Sequence, residues 1–165
     1  MLKVIVVDDE PLARKGMLVR LRDFPELDVI AECANGQQAI DSIKELKPDL
    51  VFLDVEMPGM DGFAVLKQLQ AAQVTLPYIV FVTAYDHYAF NAFEVNALDY
   101  VLKPVEPERL KQAVEKVIRI CQATDTQKHK GQLAEVVAKL TGDDAGDILQ
   151  RLDNAEPVVN DKYPD

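Results

Sequence analysis

The chain has 165 residues, the length of one domain with an appendage. It is 48% hydrophobic and 28% charged, a globular mix able to bury a core, and no apolar run approaches the ~20 residues of a membrane span. Its formal net charge of −10 repels phosphate backbones, which argues against this chain binding DNA unaided. Met1 leads almost directly into a strand-like segment, leaving no room for a signal peptide. Cys33 and Cys121 have neither metal nor redox spacing, so both are read as reduced and packed, in a cytoplasmic protein.

Strand and helix signals alternate along the chain. Leu2 to Val7 reads as a buried strand. Pro11 suits the first turn of the helix that follows, whose apolar positions include Leu12, Leu18, Val19 and Leu21. Leu27 to Cys33 alternates loosely and reads as a second strand. Asn35-Gly36 is a turn signal, and Gln37 to Leu46 a helix stopped near Pro48. Asp49 to Asp54, DLVFLD, is a third apolar run, ending on a carboxylate. MPGMDG is a loop, and Phe63 to Gln70 returns to helical spacing. Tyr78 to Ala84 is a fourth apolar run, ending near the Thr83 hydroxyl. Asp86 to Glu94 is helix-like and unusually aromatic. Ala97 to Pro104 is a fifth strand, ending on Lys103. Pro107 to Cys121 is an amphipathic helix with Leu110, Ala113, Val114, Val117, Ile118 and Cys121 on one face.

Five near-continuous apolar strands separated by helices predict an α/β fold with a parallel sheet covered on both faces. Ligands of such sheets sit outside the carboxyl ends of the strands. Those ends carry Asp8 and Asp9, Asp54, Thr83 and Ala84, and Lys103. Adjacent like charges at about 4 Å cost on the order of 4 kcal/mol at an effective dielectric near 20, so three clustered carboxylates need compensation. They can share protons, or bind a hard cation such as Mg²⁺, which takes oxygen ligands and is held by one or two carboxylates plus a phosphoryl oxygen. One carboxylate is then free to act as a nucleophile. A lysine, a hydroxyl and backbone N–H groups near Ala84 suit the oxygens of a transferring phosphoryl group. Each residue taken singly has a plainer reading: Asp8 and Asp9 as a helix cap or solvated turn, Lys103 as a surface lysine, Thr83 and Tyr100 as strand residues. Their convergence favours a site.

The motifs VDDEP, LDVEMPGMDG, VTAYD and DYVLKP, in this order and spacing, resemble the receiver domain of two-component response regulators over roughly residues 1–121. The resemblance implies a flavodoxin-like (βα)5 fold with strand order 2-1-3-4-5. It implies Asp54 as the phospho-acceptor nucleophile, with a histidine kinase as donor. Asp9 would be a direct Mg²⁺ ligand, Asp8 would act mostly through water, and Asp54 and the backbone carbonyl of Glu56 would complete the ligands. Thr83 and Lys103 would bind the phosphoryl oxygens. Tyr100 matches the aromatic residue that reorients with the threonine, and Lys103-Pro104 matches a peptide bond that is cis in the family. The Glu56 side chain would tune dephosphorylation. The chain would be a phospho-acceptor rather than an enzyme, with slow self-phosphorylation from small donors and self-dephosphorylation.

The segment TAYDHYAFNAFEVNALDYVLKP resembles receivers of the LytR/AlgR type, which precede a LytTR DNA-binding domain. Tyr85, Tyr88, Phe90 and Phe93 exceed what one short helix needs to bury, so some are expected at a contact surface. The resemblance implies a two-fold dimer through the fourth helix, fifth strand and fifth helix. Two other readings compete. A haloacid dehalogenase-type phosphatase wants Asp-x-Asp after its first strand and a cap domain; here Asp8 and Asp9 are adjacent and no cap fits. A phosphorylation-independent docking receiver is expected to lack one of the site residues. Residues 1–122 are read as the receiver. Residues 123–165 are read as a helical linker tail, with a short amphipathic helix at Gln132 to Leu140, stopping where an output domain is expected to begin. His87 and His129 are read as exposed.

Overall fold

The computed structural model describes residues 1–123; the helix expected at 132–140, the rest of the tail and His129 lie outside them. Five strands, β1 (Leu2–Val7), β2 (Leu27–Cys33), β3 (Leu50–Leu53), β4 (Tyr78–Thr83) and β5 (Asp99–Leu102), form one sheet in the order β2-β1-β3-β4-β5, parallel throughout. They alternate with α1 (Pro11–Leu21), α2 (Gly36–Leu46), α3 (Gly62–Ala71), α4 (Ala89–Glu94) and α5 (Pro107–Gln122). This is the expected flavodoxin-like receiver topology. No helix among the described residues is long and apolar enough to cross a membrane.

The central strands β1, β3 and β4 are nearly all apolar because helices cover both sheet faces, whereas the edge strands β2 and β5 carry Asp28, Glu32 and Asp99. Val4 to Val7, Leu50 to Leu53 and Ile79 to Val82 are all buried. The α2 helix contributes Ala39, Ile40 and Ile43, α3 Val65, Leu66 and Leu69, and α5 Leu110, Ala113, Val114 and Val117. The Asn35 side chain caps α2 through the Gln38 N–H, and Asp61 caps α3 through the Ala64 N–H at 2.8 Å. Asp99 joins β5 to α5: Arg109 grips both of its oxygens, at 2.6 and 3.0 Å, and Lys116 lies 3.6 Å away. Burial would raise the Asp99 pKa, but these cations and the Tyr100 N–H outweigh it and hold the carboxyl below its usual range.

The apolar residues of α1 do not form one buried face. At about 100° per residue, Leu12 and Val19 fall on one side and Met17, Leu18 and Leu21 on the other. Met17 and Leu21 are buried, whereas Leu12 is 83% exposed. The segment Asp86 to Glu94 is not one helix but a 3-10 turn, Asp86–Tyr88, followed by the short α4. Tyr85 offers no side-chain cap, and with aromatics crowding both sides the first turn takes the tighter geometry.

Candidate functional site at the strand ends

The strand register brings the site together. Val7 pairs with Leu53, Leu53 with Phe81, and Thr83 with Leu102. Asp8 and Asp54 therefore leave β1 and β3 side by side, and Lys103 leaves β5 one strand beyond Thr83. Backbone bonds fix each position: the Asp8 N–H to Cys33 O at 3.0 Å, the Asp54 N–H to Val7 O at 3.0 Å, and the Lys103 N–H to Thr83 O at 2.8 Å. Asp8, Asp54 and Thr83 are the buried polar residues among the described ones.

Lys103 Nζ ties the carboxylates together. It donates to Asp8 Oδ2 at 2.7 Å and to Asp54 Oδ2 at 3.3 Å. The other Asp8 oxygen accepts the Glu10 N–H at 2.9 Å, and Arg14 holds the Asp8 backbone carbonyl at 2.7 Å. Burial pushes the Asp54 carboxyl up to about 6, against the lowering pull of Lys103 and with added repulsion from Asp8. Burial alone would lower the Lys103 ammonium, but the hydrogen bond to Asp8 and the charge of Asp54 hold it above its ordinary value. The site thus sets two buried carboxyl groups around one cation.

The carboxylates of Asp8, Asp9 and Glu10 offer ligand atoms that all lie within 4.8 Å of one another. The sequence singled out Asp8, Asp9, Asp54 and the Glu56 backbone carbonyl as the oxygen set. The structure adds Glu10, the last of the three consecutive acids after β1. An all-carboxylate oxygen cluster suits a hard cation. Asp54 reaches this cluster through Lys103.

The loop after β3 is held close to Asp54. Gly62 donates its N–H to Val55 O at 2.8 Å. A Cβ on Gly62 would come within 2.6 Å of the Asp54 backbone oxygen, so only glycine fits. Gly59 takes a φ of +84°, where glycine pays no Cβ penalty. The Glu56 side chain is exposed.

The remaining predicted residues flank the site. Thr83 is fully buried, and its Oγ1 accepts the Tyr85 N–H at 3.4 Å. The Lys103–Pro104 peptide bond is cis. The Tyr100 ring lies 6.3 Å from that of Phe81, and its hydroxyl donates to the Tyr85 carbonyl oxygen. Tyr88 is half-buried, while Phe90 and Phe93 are 70% and 78% exposed, so these two do not pack under α4; Ala92 does. His87 is exposed, as expected, but its ring rests 4.1 Å from that of Tyr88.

Comparison with known proteins agrees with this fold. Residues 4–115 match the response regulator receiver domain. The chain belongs to this family. It is 45% identical over 134 residues to an uncharacterized response regulatory protein of Vibrio vulnificus, covering 81% of this chain and 54% of that protein. It is 42% identical over 114 residues to the transcriptional regulatory protein BtsR of Escherichia coli, covering 69% of this chain and 47% of BtsR. The chain thus spans about half the length of these relatives. Among solved structures it resembles the response regulatory domain of mrkE from Klebsiella pneumoniae, with a TM-score of 0.65, 30% identity, and coverage of 71% of this chain and 95% of that one. It also resembles the receiver domain of AraT, a response regulator from Geobacillus stearothermophilus, with a TM-score of 0.66, 29% identity, and coverage of 75% of this chain and 98% of that one.

Proposed function

We propose that this chain accepts a phosphoryl group on Asp54 from a histidine kinase and uses it to switch an output. The carrying observation is the buried Asp54 carboxyl held 3.3 Å from Lys103 at a sheet edge that also gathers Asp8, Asp9 and Thr83. In the transfer, the phosphorus–nitrogen bond of a phosphohistidine breaks as an Asp54 oxygen bonds to phosphorus, giving an acyl phosphate and a free imidazole. Lys103 turns from the carboxylates to a phosphoryl oxygen, and the Thr83 hydroxyl takes another. Asp9 directly, and Asp8 through water, would hold Mg²⁺ together with Asp54 and the Glu56 carbonyl, and such an ion would supply charge neutralisation at the acceptor. A cavity of about 220 Å³ lined by Leu12, Met17, Phe52, Val82, Lys103 and Val105 adjoins the site, and with exposed Leu12 it supports approach of a protein donor from the α1 side.

The output follows from the opposite flank. Phosphorylation at Asp54 moves Thr83 and Tyr100, and exposed Phe90 and Phe93 then pair with a second copy through α4, β5 and α5. Residues 1–122 form the receiver, and 123–165 the linker to a DNA-binding output domain of the LytTR type, in a cytoplasmic regulator. Support for an output domain comes from the chain's half-length coverage of a relative named a transcriptional regulatory protein.

The test is incubation with Mg²⁺ and acetyl phosphate, followed by intact mass. One added phosphoryl group, lost in Asp54→Asn and on chelation of Mg²⁺, is the expected result. Modification that persists in Asp54→Asn would sink the assignment. Turnover of a generic phosphomonoester would favour a phosphatase instead.

A further inference from the structure

Arg14 closes the corner between β1 and α1 that carries the acid run. Its N–H donates to the Glu10 carbonyl oxygen at 3.1 Å, and its guanidinium reaches back to the Asp8 carbonyl oxygen at 2.7 Å. One residue thus holds the main chain at both ends of Asp8–Glu10. A third bond leads out of the corner: Arg14 Nε donates to Glu32 Oε1 at 3.3 Å, and Glu32 sits on β2 in register with Val6 of β1. The Arg14 side chain is 17% exposed, whereas Lys15 and Arg20 of the same helix are exposed residues. Helix capping does not account for it. The first turn of α1 has N–H groups to satisfy, Glu10 makes no side-chain cap bond, and an arginine brings donors and no acceptor. What the guanidinium fixes is the Asp8 carbonyl, which leaves the Asp8 carboxylate to Lys103 and the Glu10 N–H.

We propose that Arg14 is a positioning residue for a divalent cation: tied to Glu32 on β2, it sets the Asp8–Glu10 turn so that the carboxylates converge before the ion binds. The proposal rests on the reading of this cluster as the Mg²⁺ site. The ligand atoms of Asp8, Asp9 and Glu10 already lie within 4.8 Å of one another, with like charges that repel. Repulsion alone would spread the turn. A main chain held at both ends, with the tether anchored on a strand, resists that spreading. Mg²⁺ demands near-ideal octahedral geometry, so a turn that must be re-formed at binding lowers affinity. The charge of Arg14 acts the other way. A cation beside the acids repels a second one, and by charge alone its removal would tighten Mg²⁺ binding. Positioning and charge therefore predict opposite signs for the same substitution.

Titration calorimetry of the whole chain with Mg²⁺ alone, near neutral pH, reads the dissociation constant, and thermal melts without Mg²⁺ read the fold. Arg14→Met keeps an unbranched apolar stem and removes the guanidinium. It is expected to weaken Mg²⁺ binding about tenfold, the low end of what lost support of a metal ligand costs. Arg14→Lys keeps the charge, but one ammonium replaces the fork that spans Asp8 and Glu32, so binding weakens here too. Glu32→Ala frees the far end of the tether. It weakens binding in the wild-type background and adds nothing to Arg14→Met. Unchanged or tighter binding in Arg14→Met, wild-type binding in Arg14→Lys, or an additive effect of Glu32→Ala overturns the positioning role, even where the melting temperature falls. If Arg14→Met does not fold, Glu32→Ala decides, and unchanged binding there overturns the proposal. A wild type that takes up no Mg²⁺ overturns the metal reading itself, a result distinct from Mg²⁺ that binds wild type and Arg14→Met alike.

Discussion

Lys103 Nζ lies 3.3 Å from Asp54 Oδ2, across 49 residues of sequence and with β4 between their strands. The same nitrogen holds Asp8 at 2.7 Å, so one ammonium compensates two buried carboxyl groups. Lys103→Ala leaves both without their cation. A loss of about 2 kcal/mol is expected in urea unfolding at pH 7 without Mg²⁺. The loss should shrink by pH 5, where Asp54, with its pKa near 6, takes up a proton. A loss independent of pH would assign it to lost packing of the lysine stem.

Asp54→Asn should stabilise the metal-free protein. The folded pKa of Asp54, about 6, stands above the ~3.9 of an unfolded aspartate, so the folded state binds the extra proton. Stability from this group is full below about pH 4, falls as pH rises through 6, and is absent at pH 7, a difference of about 3 kcal/mol. Asparagine removes that decline. Denaturation curves of both proteins at pH 4 and pH 7 check this: the variant gains about 1–3 kcal/mol at pH 7 and nothing at pH 4.

Mg²⁺ at ten times its dissociation constant should add about 1.4 kcal/mol, a rise of about 3–5 °C in Tm, because it binds only the folded acid cluster. Asp9→Asn relieves repulsion among Asp8, Asp9 and Glu10, whose carboxylates lie within 4.8 Å. It should melt at or above the wild-type temperature without metal and lose the Mg²⁺ response. Scanning calorimetry over a Mg²⁺ series reads both effects; a variant that keeps the full response excludes Asp9 as a ligand.

Gly62→Ala drives a methyl group to 2.6 Å from the Asp54 carbonyl oxygen. The loop must shift, at a cost of about 1–3 kcal/mol. The shift falls on Asp54, the proposed acceptor, so phosphorylation from acetyl phosphate should slow more than the stability loss alone explains. Gly59→Ala strains the φ of +84° away from any contact and should cost about 1 kcal/mol without slowing the reaction to the same degree. Equal slowing in both would remove the special place given to Gly62.

Beryllofluoride should tighten a weak dimer. Sedimentation velocity of the wild type is expected to show a monomer–dimer equilibrium displaced towards dimer by Mg²⁺ and beryllofluoride. Phe90→Ser should reverse this, since Phe90 is 70% exposed and supports little of the core. Monomer alone at every concentration in both states would leave the aromatic face without its proposed role.

The sheet and most of the site could be read from residue order. A strand buried on both faces tolerates no polar side chain until it ends, so Asp8, Asp54, Thr83 and Lys103 marked the strand ends as plainly as a turn would. Helix faces were less visible. The α1 helix has enough apolar residues for a buried stripe, but Leu12 and Val19 lie opposite Met17 and Leu21, a matter of angle that a count misses. The 3-10 turn at Asp86–Tyr88 follows from packing against Phe63 and Tyr100, two elements distant in sequence. Glu10's place in the acid cluster depends on how the chain bends into α1, which side-chain type does not encode.

The order β2-β1-β3-β4-β5 makes the site a late product of synthesis. Asp8 and Asp54 emerge early from the ribosome, but the cation that joins them belongs to β5, which pairs only with β4. A nascent chain arrested before Lys103 has two unneutralised carboxyl groups at an unfinished sheet edge. It cannot hold the arrangement in which one ammonium joins Asp8 to Asp54. Assembly of the site thus coincides with completion of the sheet.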